Sequence, residues 1–351
     1  MSKFIIFISL LLILMLAAQQ VLAVSEAAVL FLMISPGARA AGMGESFVGV
    51  ADDVSAVYWN PAGLAYQNNR EITFMHVNWL SGLTDDLFYE FLAYHMSIEG
   101  VGTIGFNVVY LDLGEQQGMD EQGNETIKFS SNEYAISASY GATVTDNLAM
   151  GVSLRYIRSN LSKTGAGAEK GSGQASAFAF DLGLLYRFPF LREKLTWGMN
   201  ISNMGPKIAY IDAAQADPLP TNLKAGFALR LINQKYNKLT FAADINKLLV
   251  TPHGDKPADP FYQAIITSWY DDQPFQRELD KITRSVGMEY VYNNLIGLRS
   301  GYYYDKEGKV KYLTFGAGIR YYLYSFDFGY VSAAEGHPLA NTMRFSLSFG
   351  F

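Results

Sequence analysis

Cysteine is absent from this chain of 351 residues. Disulfide staples, thiolate nucleophiles, cysteine metal sites and a lipid anchor on cysteine are therefore excluded. Histidine is scarce as well: His76, His95, His253 and His337 show no metal-ligand spacing such as His-x-x-x-His. Charge is thin at 17% of residues and slightly acidic, with 27 Lys and Arg against 33 Asp and Glu, which disfavours a nucleic-acid partner. The adjacent pairs Asp52-Asp53 and Asp271-Asp272 diverge, whereas carboxylate catalysis needs convergence across a substrate, so both read as solvated turns. The run Gly165–Gly173 fits neither GxGxxG nor GxxxxGK[ST] and reads as a flexible loop. These absences leave no enzyme and no cofactor to expect. Past the N-terminus, no 18 consecutive apolar residues occur, so no membrane-spanning helix is expected.

What is present is apolar and aromatic: half of the residues are hydrophobic, and Tyr and Phe number 23 each. At the N-terminus, Lys3 precedes the apolar run Phe4–Ala18, and Val21-Leu22-Ala23 offers a small-residue cleavage site. At 1.5 Å per residue that run reaches only about 22 Å, short of a ~30 Å hydrocarbon core. Residues 1–23 are therefore expected to be a signal peptide, and losing Lys3 with it would take the formal charge from −6 to −7.

The rest alternates. Met343, Phe345, Leu347, Phe349 and Phe351 share one parity against Thr342, Arg344, Ser346, Ser348 and Gly350. The same holds for Leu148–Tyr156, Phe178–Tyr186, Leu223–Leu231, Leu313–Tyr321 and Phe326–Tyr330, with charges on the small-residue face each time. A charge facing lipid costs about 2–4 kcal/mol at the bilayer midplane, so the small-residue face must line a lumen. The pattern predicts an all-β, antiparallel transmembrane barrel of about 14 strands: 72–80, 87–97, 101–112, 132–144, 147–161, 174–188, 194–204, 221–232, 238–250, 282–293, 295–305, 311–322, 323–333 and 342–351. Turns after even-numbered strands are short, and connections 113–131, 162–173, 205–220, 251–281 and 334–341 after odd ones are long. That rhythm predicts an outer-membrane barrel with both termini in the periplasm. Ending on a strand with Phe351 resembles the signal read by barrel-assembly machinery.

Residues 24–71 precede the barrel at 72–351 and are glycine-rich, which suits a plug or hatch within the lumen; the alternative is a loose periplasmic arm. Arg155, Arg230, Arg320 and Arg344 either tune the lumen or pair structurally with Asp181, Asp244 and Asp327; pairing is the preferred reading. The loop 251–281 is too long and too apolar to be a simple connector. Within it Phe261, Ile265 and Trp269, and likewise Tyr262, Ile266 and Tyr270, fall at helical i, i+4, i+8 spacing. Such a helix either caps its own barrel mouth or offers an aromatic docking surface.

Ala40–Ala65 (AAGMGESFVGVADDVSAVYWNPAGLA) resembles the N-terminal signature of the FadL-like barrel superfamily, above all at Asn60–Ala65. Further stretches are similar to the narrower PorV family of the type IX secretion system: Ala28–Gly44, Asp217–Gly226 (DPLPTNLKAG), Ala243–Val250 (ADINKLLV), Gly297–Tyr304, Phe315–Tyr321 and His337–Phe349 (HPLANTMRFSLSF). Gly37, Leu30 and the short Thr251-Pro252-His253 depart from that pattern. The resemblance implies a non-enzymatic shuttle. It would hold secreted cargo by a C-terminal secretion domain, receive it from a large translocon barrel and deliver it to a surface attachment complex. Arg39, Gly42, Gly44, Asn60, Pro61 and Gly63 would then belong to the hatch, and Phe261, Tyr262, Ile265, Trp269 and Tyr270 to the partner contact. The rival reading is a FadL-like transporter of hydrophobic compounds such as long-chain fatty acids; a PorQ-type role and a plain porin stand behind it.

Overall fold

The computed structural model describes residues 27–351 except 83, 85, 120–121, 163–172, 192, 211, 213–214, 252–256, 271–274 and 335–336. The expected signal peptide, most of the Gly165–Gly173 run, His253 and the Asp271-Asp272 pair lie outside the described residues.

Alternating apolar and small or polar residues build fourteen antiparallel strands: β1 (Arg70–Asn78), β2 (Phe88–Ile98), β3 (Gly102–Met119), β4 (Glu125–Thr143), β5 (Leu148–Ser162), β6 (Gly173–Arg187), β7 (Leu195–Met204), β8 (Asn222–Asn233), β9 (Asn237–Leu248), β10 (Thr283–Tyr292), β11 (Ile296–Asp305), β12 (Val310–Tyr321), β13 (Tyr324–Ala333) and β14 (Met343–Gly350). Each pairs with its sequence neighbours, and β1 pairs with β14 from Glu71 opposite Gly350 to Val77 opposite Arg344, which closes the barrel and removes every sheet edge at that level. On β5, Met150, Val152 and Leu154 are exposed while Ala149, Ser153 and Arg155 are buried, and the other strands repeat that division. The outward face is the lipid face and the buried face lines the lumen.

At the end with the short turns, Tyr94, Tyr324, Phe349 and Phe351 stack or tilt against one another at ring separations of 5.1–6.3 Å. This is the aromatic girdle expected where a barrel meets the membrane interface. The amide of Phe351 also donates to the Arg70 carbonyl at 2.9 Å, across the β1–β14 closure.

One expectation fails. Residues 113–131 are not a loop: β3 and β4 run on to Met119 and back from Glu125 as a two-stranded ribbon, with irregular register between Asp112 and Glu115 and between Gln117 and Met119. The partner β2 begins at Phe88, opposite Asp112, so the ribbon rises past its neighbour. Both of its faces meet water, and Glu115 pairs with Lys128 in the open. Alternation marks a strand only where one face is apolar, so the pattern stops while the strands continue.

The lumen is filled by the chain's own residues 27–69, among them Phe47, Trp59 and Leu64, which are fully buried. Wall glycines let this segment lie against the strands. Gly141, Gly151 and Gly183 form one row across β4, β5 and β6. A Cβ on Gly151 would sit 2.2 Å from the Pro61 carbonyl carbon, and one on Gly183 would sit 2.3 Å from Asn60 Oδ1. Gly151→Val and Gly183→Val are each expected to cost about 1–3 kcal/mol through overpacking. The loss would be read as a lower temperature at which the folded band disappears on unheated gels. An unchanged transition would mean that the segment does not rest on this row.

Candidate functional site

Between Ile34 and Gln67 the inner segment meets all fourteen strands in an almost unbroken descending order. Ile34 accepts from Tyr89 on β2 (2.8 Å), and the Gly37 amide lies 2.9 Å from Met75 Sδ on β1. The Ala38 amide donates to Ser346 Oγ on β14 at 2.9 Å, and the Ala38 carbonyl lies against Gly329 of β13. On β12, Thr314 Oγ1 donates to the Gly42 carbonyl and accepts from the Gly44 amide at 3.0 and 2.9 Å. Met43 and Gly44 press on Gly301 of β11 and Gly287 of β10. Asp244 on β9 accepts from the amides of Phe47 (2.6 Å) and Val48 (2.8 Å). Gly49 touches the Phe227–Ala228 backbone of β8, and the Val48 carbonyl touches Gly198 of β7. Asn60 donates to the Leu184 carbonyl of β6 at 2.9 Å, and Pro61 and Leu64 lie on Gly151 of β5, Gly141 of β4 and Gly105 of β3.

Local sequence sets up these contacts. Asn60 accepts from the Ala62 amide at 3.1 Å and caps the short 3-10 helix Pro61–Tyr66, where Pro61 supplies a helical φ and has no amide to satisfy. Gly44 has φ +64° and lies against the Val286–Tyr302 backbone, so a side chain there would be strained and crowded at once. Gly63 packs against the Ala51 carbonyl, and Gly42 against Gly316 of β12. Tyr58 donates to the Leu32 carbonyl (3.0 Å) and Trp59 to the Pro36 carbonyl (3.2 Å), tying the segment to itself.

Arg39 anchors one side. It makes a bidentate contact with Glu289 of β10 at 2.8 and 2.6 Å and reaches Asp52 and Asp53 at 2.7 and 2.9 Å. Burial disfavours the guanidinium charge, but the carboxylates of Asp52, Glu289 and Asp53 outweigh it and hold the pKa above its ordinary value. Glu289 also accepts from Arg299 of β11 (2.7 Å), which reaches Asp327 of β13 (2.6 Å). The chain Arg39–Glu289–Arg299–Asp327 thus fastens the segment to three strands.

The arginine pairings turn out only partly as expected. Arg155 pairs with Asp181 at 2.8 Å. Asp244 instead holds segment amides, and Asp327 takes Arg299. Arg344 meets Glu45 at 3.6 Å and the Ser35 carbonyl at 2.6 Å. Arg230 and Arg320 make none of the expected pairs. Lumen-face parity does flag Asp244, Glu289 and Arg299, but their partners are far away in sequence.

At the opposite rim, Phe261–Thr267 forms a short helix. Its Phe261 ring meets Phe180 of β6 edge-on at 5.8 Å, and Trp269 lies 5.1 Å from Lys247 Nζ of β9. Lys247 is buried in a 2.6 Å bond to Glu278, on the helix Phe275–Asp280. Phe261, Ile265 and Trp269 are half-buried, whereas Tyr262, Ile266 and Tyr270 are 62%, 65% and 79% exposed. The two helical stripes therefore have different surroundings, and only the second is free.

A closed fourteen-stranded barrel with an apolar girdle outside and its own N-terminal segment inside is an outer-membrane β-barrel plugged by its own chain. Solved structures share the fold. The Pseudomonas putida toluene transporter TodX is 16% identical with a TM-score of 0.57, covering 90% of this chain and 96% of its own. The Ralstonia pickettii toluene transporter TbuX is 15% identical with a TM-score of 0.58, covering 90% and 98%. A search of curated proteins gives no match. The family model described as "Type IX secretion system protein PorV" matches residues 17–255, and the chain belongs to the PorV family.

Glu289→Ala would leave Arg39 and Arg299 buried beside a missing partner, a loss of about 3–5 kcal/mol. Asp52→Ala, whose carboxylate is exposed, should cost only about 0–1 kcal/mol. Equal shifts in the thermal transition would show that the network does not hold the segment.

Proposed function

We propose that this barrel carries secreted proteins in type IX secretion. It receives cargo from a large translocon barrel, holds it by the C-terminal secretion domain and passes it to the surface attachment complex. The observation that carries this reading is the filled lumen. A segment bonded to the wall around its whole circumference suits a carrier that works at its rim better than a conduit through its middle. The short-turn end, where β1 begins and β14 ends, is the periplasmic end, and the long connections face outward. Arg39, Gly42, Gly44, Asn60, Pro61 and Gly63 act as a fixed hatch.

Cargo contact falls on the outer rim. The exposed stripe of Tyr262, Ile266 and Tyr270 offers aromatic and aliphatic surface of the kind enriched at interaction hot spots. Phe261, Ile265 and Trp269 hold that stripe in place from beneath. A transporter of hydrophobic compounds finds less support, because residues 27–69 occupy the lumen that would conduct them; the wall itself is mixed, with Met75, Phe91, Val109 and Leu111 beside Asn107, Arg155 and Asp181.

Deleting the gene and measuring surface, medium and periplasm by mass spectrometry tests the reading. Cargo retaining its C-terminal domain is expected to accumulate in the periplasm; a normal secretome with lost uptake of a hydrophobic substrate would overturn carriage. Replacing Tyr262, Ile266 and Tyr270 together with serine is expected to lower cargo co-purification at least about tenfold, the effect of losing about 1.4 kcal/mol. Unchanged recovery from a normally folded barrel would move the contact elsewhere.

A further inference from the structure

Lys224 of β8 points into the lumen and is only 8% exposed. Its ammonium lies 4.3 Å from the Trp59 ring and 4.8 Å from the Tyr58 ring. Among the described residues it has no hydrogen-bond or ion-pair partner: the carboxylates of Glu45 and Asp244 line the same cavity without closing on it, whereas the buried Arg155, Lys247, Arg299 and Arg344 each meet an acid directly. Aromatic faces attract a cation but do not replace an anion. A buried ammonium that no acid contacts directly leaves a donor free for the carboxylate of a ligand that is not anionic overall.

The space for one is present. Lys224 and Trp59 line a cavity of about 310 Å³ between the inner segment and strands β8–β11. Two acceptors on the wall are also unsatisfied, Asp244 Oδ1 and Asn246 Oδ1; Asp244 is 7% exposed, and its other oxygen already holds the inner segment. Asn246 sits opposite Lys224 in the β8–β9 register, and Asp244 lies two residues along. The cavity therefore sets a free cation beside free acceptors. Its upper end is lined by Asp305 and the exposed Glu307, at the β11–β12 turn on the long-loop side. Those acids repel a simple anion and draw in a ligand that also carries positive charge.

We propose that this cavity binds a basic amino acid, free or as the last residue of a peptide. The carboxylate meets Lys224, the amine or amide N–H meets Asp244 and Asn246, and the side-chain cation lies toward Asp305 and Glu307. No bond is made or broken. The site does not depend on the reading of the barrel as a cargo carrier, since its ligand is defined by wall and segment residues alone.

The test uses the full-length barrel in detergent and isothermal titration calorimetry. The probes are L-lysine, an N-acetylated tetrapeptide ending in lysine, and the same peptide amidated at its C-terminus. Saturable binding of L-lysine or the free-acid peptide is expected, with amidation weakening the peptide at least about tenfold. Binding of L-lysine assigns a small-molecule source, and binding of the peptide alone assigns a chain terminus; either supports the site. Lys224→Met should weaken binding similarly while the folded band on unheated gels is retained, and Lys224→Arg should restore it. Glu307→Gln, on the exposed rim, should weaken binding less, and added salt should mimic it. Should Lys224→Met not fold, the amidation comparison and Glu307→Gln on the native barrel decide. Absence of binding by all three probes, or binding indifferent to both amidation and Lys224, would overturn the proposal and leave the cavity to water.

Discussion

Irregular backbone inside a membrane barrel has to find hydrogen bonds where bulk water is scarce, and the rest of this molecule is arranged around that need. The inner segment has only short helical turns of its own, so the wall supplies partners. Asp244 takes two consecutive amides, Thr314 bridges the Gly42 carbonyl and the Gly44 amide, Ser346 takes the Ala38 amide, and Asn200 donates to the Trp59 carbonyl at 3.1 Å. Elsewhere the segment's backbone lies directly on the backbone of the wall. Glycine on both sides, as at Gly42 against Gly316 and Gly44 against Gly301, lets it come that close.

Charge in the lumen follows from the same confinement. A buried ion is tolerable only when it is paired and its remaining hydrogen-bonding groups are satisfied. Arg39, Glu289, Arg299 and Asp327 meet that condition jointly, and so do Arg155 and Asp181 with Asn203, whose side chain accepts from Arg155 and whose amide donates to Asp181 at 2.8 Å. These networks fix the segment laterally where the glycine contacts fix it radially. Lys224 stands apart from them, and that contrast gives its cavity a chemical meaning.

With the middle of the barrel committed to holding its own chain, the contact proposed for a large partner falls to the rim. There the chain is unusually generous: β3 and β4 rise above their neighbours, and the loop after β9 folds back through two short helices. Lys247, Glu278 and Trp269 pin that loop to β9, and Phe261 pins it to Phe180 on the outward face of β6, so its aromatic stripe is displayed on a fixed support.

Local physics was enough to read the barrel from the sequence. Period-two alternation depends only on which face meets lipid, and a charge on the wrong face is expensive at every strand, so Arg155, Asp181, Asp327 and Arg344 mark the lumen without any knowledge of their neighbours. The strand count and the alternation of short and long connections follow from the same rule, and the glycine-rich stretch before β1 already suited a plug. The rule fails where both faces meet water, which is why the β3–β4 ribbon passed for a loop. Which acid meets which arginine, which stripe of the 261–270 segment stays free, and which lysine is left unpaired were decided only by the tertiary structure. Those outcomes depend on closure of β1 on β14 and on the inner segment's circuit past every strand, which bring together groups up to about three hundred residues apart, such as Ser35 and Arg344.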